Sequence, residues 1–178
     1  MALPTSPIPL VATGEIIEEN WGDSVAQSLN NLKQRKDASN WKPTAEIQAP
    51  TAATMTTWFN YGGGTGTDLT IPDWATLATV RLEMNGVRNL GTPNATYDVQ
   101  LFFGTVPGRI IRVTATSDAG WFPLGWTDQF ASLPGAGARK LLVKVAKVSG
   151  GNRWTIDTDS DIAFDVDYGG AIGWYPGL

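Results

Sequence analysis

From Trp41 onward the chain alternates apolar and polar residues with a period of two, and no stretch of that region carries helical spacing. In TMTTWFNY, Met55, Thr57, Phe59 and Tyr61 share one face. Val80, Leu82 and Met84 alternate with Thr79, Arg81 and Glu83, and Tyr97, Val99, Leu101 and Phe103 alternate with Asp98, Gln100 and Phe102. Later runs are RIIRVTAT (109–116), KLLVKVAKV (140–148), RWTID (153–157) and IAFDVDY (162–168). Clusters of Gly, Pro, Asn and Asp separate them, and Gly150, Gly151 and Asn152 have the composition of a hairpin turn. Segments that are apolar on one side only must pair edge to edge and then pack face to face. So many of them, with no helical crossover between, predict a mainly β fold, an antiparallel β-sandwich of jelly-roll type, over any βαβ arrangement. No internal repeat is present. Two longer connections, Gly62 to Asp68 and Ser117 to Ala138, are expected as surface loops.

Residues 1–40 follow a different rule. Pro4, Pro7 and Pro9 impose extended or polyproline geometry on an N-terminal arm. Residues 19–36, ENWGDSVAQSLNNLKQRK, then read as one short α-helix. Glu18, Glu19 and Asp23 lie at its start and Lys33, Arg35 and Lys36 at its end, matching the helix dipole, with Asn20 and Asp23 as an imperfect cap. With Trp21 set at zero degrees, Val25, Leu29 and Leu32 fall within about 80° of it, a stripe narrower than the roughly 100° of a helix lying on a globular core. Val25, Leu29 and Leu32 have the four-then-three spacing of a coiled-coil seam, with Gly22 and Lys36 at the flanking seam positions. Either the helix packs across its own sandwich or its seam is completed by neighbouring chains. The organisation predicted is an arm with an oligomerisation or docking helix over 1–40, followed by a β-sandwich domain over 41–178.

Composition closes several functional classes. The chain has 178 residues, long enough to bury a true core, with 42% hydrophobic and 17% charged residues. It contains neither Cys nor His, which removes disulfides, thiolate nucleophiles, His-dependent triads and the commonest transition-metal ligands. A net charge of −4 and scattered basic residues give no electrostatic footprint for nucleic acid. The Pro-broken N-terminus, without a basic lead, resembles neither a secretory signal nor a membrane span.

Motifs that suggest chemistry fall short of it. In GGGTGT no Lys-Ser or Lys-Thr follows, and Leu69 stands where the third Gly of a dinucleotide fingerprint belongs, so a flexible β-loop is expected. Asp157, Asp159 and Asp161 alternate like the opening of a calcium loop. Ile162 replaces the turn Gly, however, and Tyr168 replaces the bidentate Glu, leaving at most an irregular site helped by Asp165 or Asp167. The bland alternative is a solvated acidic turn. Paired carboxylates could serve a glycosidase, but sequence spacing does not set their separation in space. Asn94-Ala95-Thr96 fits a glycosylation sequon, which has meaning only in a secreted eukaryotic protein. Trp58, Trp74 and Trp154 sit in or beside strands and are expected to be structural. Trp121, Trp126 and Trp174 lie in Gly/Pro-rich segments and are candidates for glycan or surface contact.

The segment MALPTSPIPLVATGEIIEENWGDSVAQSLNNL resembles the N-terminal segments of tailed-phage virion proteins, in which an extended arm and an I-x-x-x-W-(G/N) entry, here Ile17 to Gly22, precede a short helix and a β-rich body. IPDWATLATVRLEMNGV (71–87) is similar to the I-P-x-W-A strand openings of phage head-decoration and minor tail or fibre proteins. The resemblance implies a homotrimeric or otherwise symmetric bacteriophage structural protein, made in the host cytoplasm and placed on the virion surface, without enzymatic activity or cofactor. The coil is too short for a tail fibre shaft and fits a compact knob. Pro4, Pro7, Pro9, Ile16, Ile17 and Trp21 would dock on major capsid or tail proteins, and Val25, Leu29 and Leu32 would self-associate. The alternative is a carbohydrate- or receptor-binding module of a tail tip that contacts host surface glycan. Neither nucleic acid nor membrane is an expected partner.

Overall fold

The computed structural model describes residues 35–169, apart from residues 74, 91–93, 116–119 and 152. The expected arm and helix, with Pro4, Pro7, Pro9, Ile16, Ile17, Trp21, Val25, Leu29 and Leu32, lie outside the described residues, as do Trp74 and Trp174. Among the described residues every regular element is a β-strand. They are β1 (Arg35–Trp41), β2 (Ile47–Gln48), β3 (Thr56–Asn60), β4 (Asp68–Ile71), β5 (Leu77–Asn89), β6 (Thr96–Phe103), β7 (Val106–Thr114), β8 (Trp121–Phe130), β9 (Gly137–Ser149), β10 (Trp154–Ile156) and β11 (Asp161–Gly169).

All pairing is antiparallel and forms two sheets. Several strands are one strand interrupted. Trp41 pairs Ile162 and Ile47 pairs Ile156, so β1 and β2 run along β11 and β10 in an unbroken register. β3 and β4 likewise lie end to end along β9. The first sheet therefore runs β1/β2, β11/β10, β5, β8, and the second β3/β4, β9, β6, β7. Apart from the hairpin of β6 and β7, and the interrupted strands, the chain changes sheet at every connection.

The alternation read from sequence sets which side is buried. On β5, Ala78, Val80, Leu82 and Met84 point inward, and on β11 Ile162, Phe164, Val166 and Tyr168 do the same. Trp154 is the centre of the core, with ring centroids of Tyr97 at 4.7 Å, Phe122 at 5.2 Å and Trp58 at 6.3 Å. Removing such a side chain costs about 3–5 kcal/mol, transfer and cavity terms together. Trp58 and Trp154 are thus structural, as expected. At one edge Trp41 covers Phe59 and Tyr61, at 5.8 Å and 6.0 Å.

Three expectations are corrected. Ser117 to Ala138 is not one long loop, because β8 occupies Trp121–Phe130. Pro123 and Gly125 look like turn residues, but they occupy outward positions of an edge strand, and Pro123 faces the register break between Met84 and Val87 where ladder bonding is already interrupted. Gly150 and its neighbours do not close a hairpin, since β9 and β10 belong to different sheets. Arg35 and Lys36, expected in the last helical turn, are in β1 and pair with Tyr168 and Asp167. The Gly62 connection is a loop as expected, closed by Thr67 N–H donating to the Tyr61 carbonyl at 2.7 Å.

The register gives the body two different ends. Arg35 pairs with Tyr168 and Leu77 with Gly169, so the described chain enters and leaves at the same end. Trp121 pairs with Arg88 and Trp154 with Asn89 at the opposite end.

Candidate functional site

The outward face of the first sheet holds the most distinctive surface. One cross-strand row is Asn40, Ala163, Glu83 and Gly125, and the next is Ala38, Asp165, Arg81 and Thr127. Small residues at Ala38, Ala163 and Gly125 leave low ground on both sides of an Arg81–Glu83 ion pair, which stands as a ridge. On the β1 side is a depression of about 190 Å³ and on the β8 side one of about 350 Å³. The larger is bordered by Asn85, Pro123 and Thr127.

Trp121 continues the outward row of β8 beyond Pro123 and is 46% exposed. A bulge in β5 makes its seat. Gly86 has φ +94°, a conformation that only Gly adopts readily, and a Cβ there would sit 3.3 Å from Trp121 Cε3. The indole thus lies against bare backbone. The Arg88 guanidinium is 5.6 Å from the ring centroid, within cation–π range. Arg88 Nε is buried and has no hydrogen-bond partner among the described residues.

Below the bulge is the Asp157–Ser160 turn. Ser160 Oγ donates to the Gly86 carbonyl at 2.7 Å and accepts from Asp157 N–H at 3.0 Å. Asp157 Oδ1 accepts from Asp159 N–H at 2.9 Å, and Asp161 pairs with Lys42 at 3.2 Å. The Asp157 and Asp161 carboxylates are therefore engaged in turn and strand contacts, Asp159 contributes its backbone N–H, and among the described residues no three acidic side chains group as metal ligands would.

Of the tryptophans expected at a surface, Trp121 is exposed, whereas Trp126 is 8% exposed and donates from Nε1 to Asp128 Oδ2 at 3.0 Å. Trp126 faces inward because it shares parity with Phe122 and Leu124. Trp174 lies outside the described residues. Arg88 and the Asn85-Gly86 bulge were not singled out from sequence, although a Gly inside the alternating run EMNGVRN is a bulge signal.

The opposite sheet is different in character. Arg112 grips Asp98 with two hydrogen bonds, 2.7 Å from Nε and 2.8 Å from Nη2. These bonds hold the Asp98 carboxyl below its ordinary range. Lys144 Nζ sits 4.0 Å above the Phe102 ring. Within the core, burial pushes the Tyr61 and Tyr97 hydroxyls above their ordinary range.

No family model matches the chain, and no curated protein does. Among solved structures, it is similar to a structure of infectious bursal disease virus, Gx strain, at 14% identity and a TM-score of 0.35, covering 80% of this chain and 35% of that one. It is also similar to a bacterial lipoprotein from Bacteroides thetaiotaomicron, at 9% identity and a TM-score of 0.31, covering 77% and 84%. A third similarity is to the VP2 subviral particle of infectious bursal disease virus, at 12% identity and a TM-score of 0.25, covering 82% and 44%. Likenesses at such TM-scores carry no function across.

Proposed function

We propose that this protein is a non-enzymatic structural component of a tailed-phage virion, a capsid-decoration or minor tail protein that self-associates, docks through residues 1–34 and projects its β-sandwich. The sheet order β1/β2, β11/β10, β5, β8 against β3/β4, β9, β6, β7 fits two nested Greek keys, the jelly-roll arrangement found in capsid and lectin domains among others. One observation carries the docking reading: Arg35 and Gly169 leave the body at one end, opposite Trp121. A chain built this way can be held from one end while its far end stays free. The test is native mass and co-sedimentation with assembled particles for the full chain and for its Leu29→Asp, Leu32→Asp variant. The variant is expected to fall to monomer and to leave the particle fraction. An unchanged mass would remove the seam from the proposal.

A second reading, a carbohydrate- or receptor-binding module, is favoured by the exposure of Trp121 at that free end.

A further inference from the structure

The outward face of the first sheet is more specific than a surface that happens to expose one tryptophan. From Trp121 to Thr127 the outward positions of β8 span about 20 Å at ordinary strand rise, room for several sugar rings in line. Along that path the side chains are Trp121, Pro123, Gly125 and Thr127, flanked on β5 by Asn85 and Glu83. A rigid aromatic plane therefore stands one outward position beyond the depression that runs from Pro123 to Thr127, a trough whose floor is kept low by Gly125. Its walls offer an amide, a hydroxyl and a carboxylate already paired with Arg81.

We infer that this trough binds an uncharged oligosaccharide, with one sugar ring stacked on Trp121 and the next units hydrogen-bonded along Asn85, Glu83 and Thr127. The inference deepens the carbohydrate-binding reading above and is independent of how the protein docks. Three features select the ligand. An indole seated on the Gly86 backbone presents a flat apolar plane at small entropic cost, which suits the C–H face of a sugar ring. The Arg81–Glu83 pair is internally neutralised, and such a pair offers both donors and acceptors to hydroxyl groups. The charged residues that line the depression are Arg81 and Glu83, which neutralise each other, so it holds no net charge to draw in an ionic chain.

The test applies the full-length protein to an array of printed neutral and acidic glycans, alongside Trp121→Ala and Asn85→Ala, with thermal melting as a control that the variants fold. Retention of neutral oligosaccharides is expected, with at least a tenfold weaker signal for Trp121→Ala and a smaller loss for Asn85→Ala. Retention of no glycan, a preference for acidic glycans, or a signal indifferent to Trp121→Ala overturns the assignment. Binding of whole host envelopes separates the two levels. If the wild type binds envelopes and Trp121→Ala binds them equally well, the receptor-binding reading stands and this trough is not its site.

Discussion

Asp128 on β8 and Arg109 on β7 join the two sheets at an edge that would otherwise be open. Oδ1 of the buried Asp128 carboxylate lies 3.3 Å from Arg109 Nε and accepts from the Arg109 backbone N–H at 3.4 Å. Arg109 Nη2 also donates to the Thr127 carbonyl at 3.1 Å. β7 and β8 are edge strands of different sheets, so these bonds occupy N–H and C=O groups that another chain could otherwise pair with. The partner of Asp128 Oδ2 is the Trp126 indole, which fixes the carboxylate from inside.

Replacing Asp128 with Ala leaves Trp126 Nε1 buried without an acceptor and leaves Arg109 only its bond to the Thr127 carbonyl. A loss of about 1–3 kcal/mol is expected in urea unfolding. Asp128→Asn keeps an acceptor for the indole and is expected to lose less. Gly108→Ala is expected to disturb the same clamp, because a Cβ there would lie 2.4 Å from Asp128 Oδ2. Equal stability of all three variants and the wild type would show that the clamp contributes nothing.

The alternation of Val80 to Met84 and of Tyr97 to Phe103 was legible because water touches only one side of these strands, which leaves a period of two in the residues themselves. β8 was not legible as a strand. Its inward row includes a charged residue, Asp128, whose burial depends on a partner from another sheet, and its outward row includes Pro123 and Gly125, which in isolation signal turns. Trp126 and Trp121 looked alike for the same reason. Only the parity of β8 sends one into the core and the other to the surface, and parity cannot be assigned before the strand is recognised. The pairing of β10 with β5 and not with β9 is set by packing around Trp154, a long-range cause absent from the local run at Gly150.

Asp98 and Arg112 give the second sheet a pH dependence with a definite sign. The folded carboxyl is held below its ordinary value of 3.8, first by its hydrogen bonds to Arg112. The unfolded chain therefore binds the proton first. The stability this pair contributes is complete above the unfolded value and is lost as pH falls past 3.8 through the lowered folded value. Asp98→Asn is expected to lower the neutral plateau of a melting-temperature profile and to converge on the wild type in acid, so that the acid limb is flatter. Acid limbs of identical slope would refute the coupling.

Gly150 is required where the chain leaves β9 for the other sheet. Its φ is +88°, and a Cβ would sit 2.3 Å from the Asn94 carbonyl oxygen and 2.7 Å from Ala95 Cα, both backbone atoms that cannot swing aside. Gly150→Ala thus combines left-handed strain with a clash and is expected to cost more than the roughly 1 kcal/mol of the strain alone. Substituting Gly64 to Ala is the comparison, since its φ is +50° with open space around it, and only the strain should be felt. Thermal melting of the two variants checks the order.

The turn from Asp157 to Ser160 decides between an ion-binding and a purely structural role for the alternate aspartates. Ser160 is fully buried and its hydroxyl spans two strands, donating to Gly86 and accepting from Asp157 N–H, so it fastens the β5 bulge to the β10–β11 break. Ser160→Ala leaves a part-buried carbonyl and a part-buried N–H short of a partner, and a loss of about 1 kcal/mol is expected. For a chain of this size each kcal/mol corresponds to about 2–4 °C in melting temperature. Asp157 Oδ1 is already committed to Asp159 N–H and Asp161 to Lys42, so millimolar calcium is expected to leave the wild-type melting temperature unchanged. A calcium-dependent rise, absent in Asp159→Asn, would instead mean that the turn gives up these contacts to hold the ion, and the purely structural account would fail.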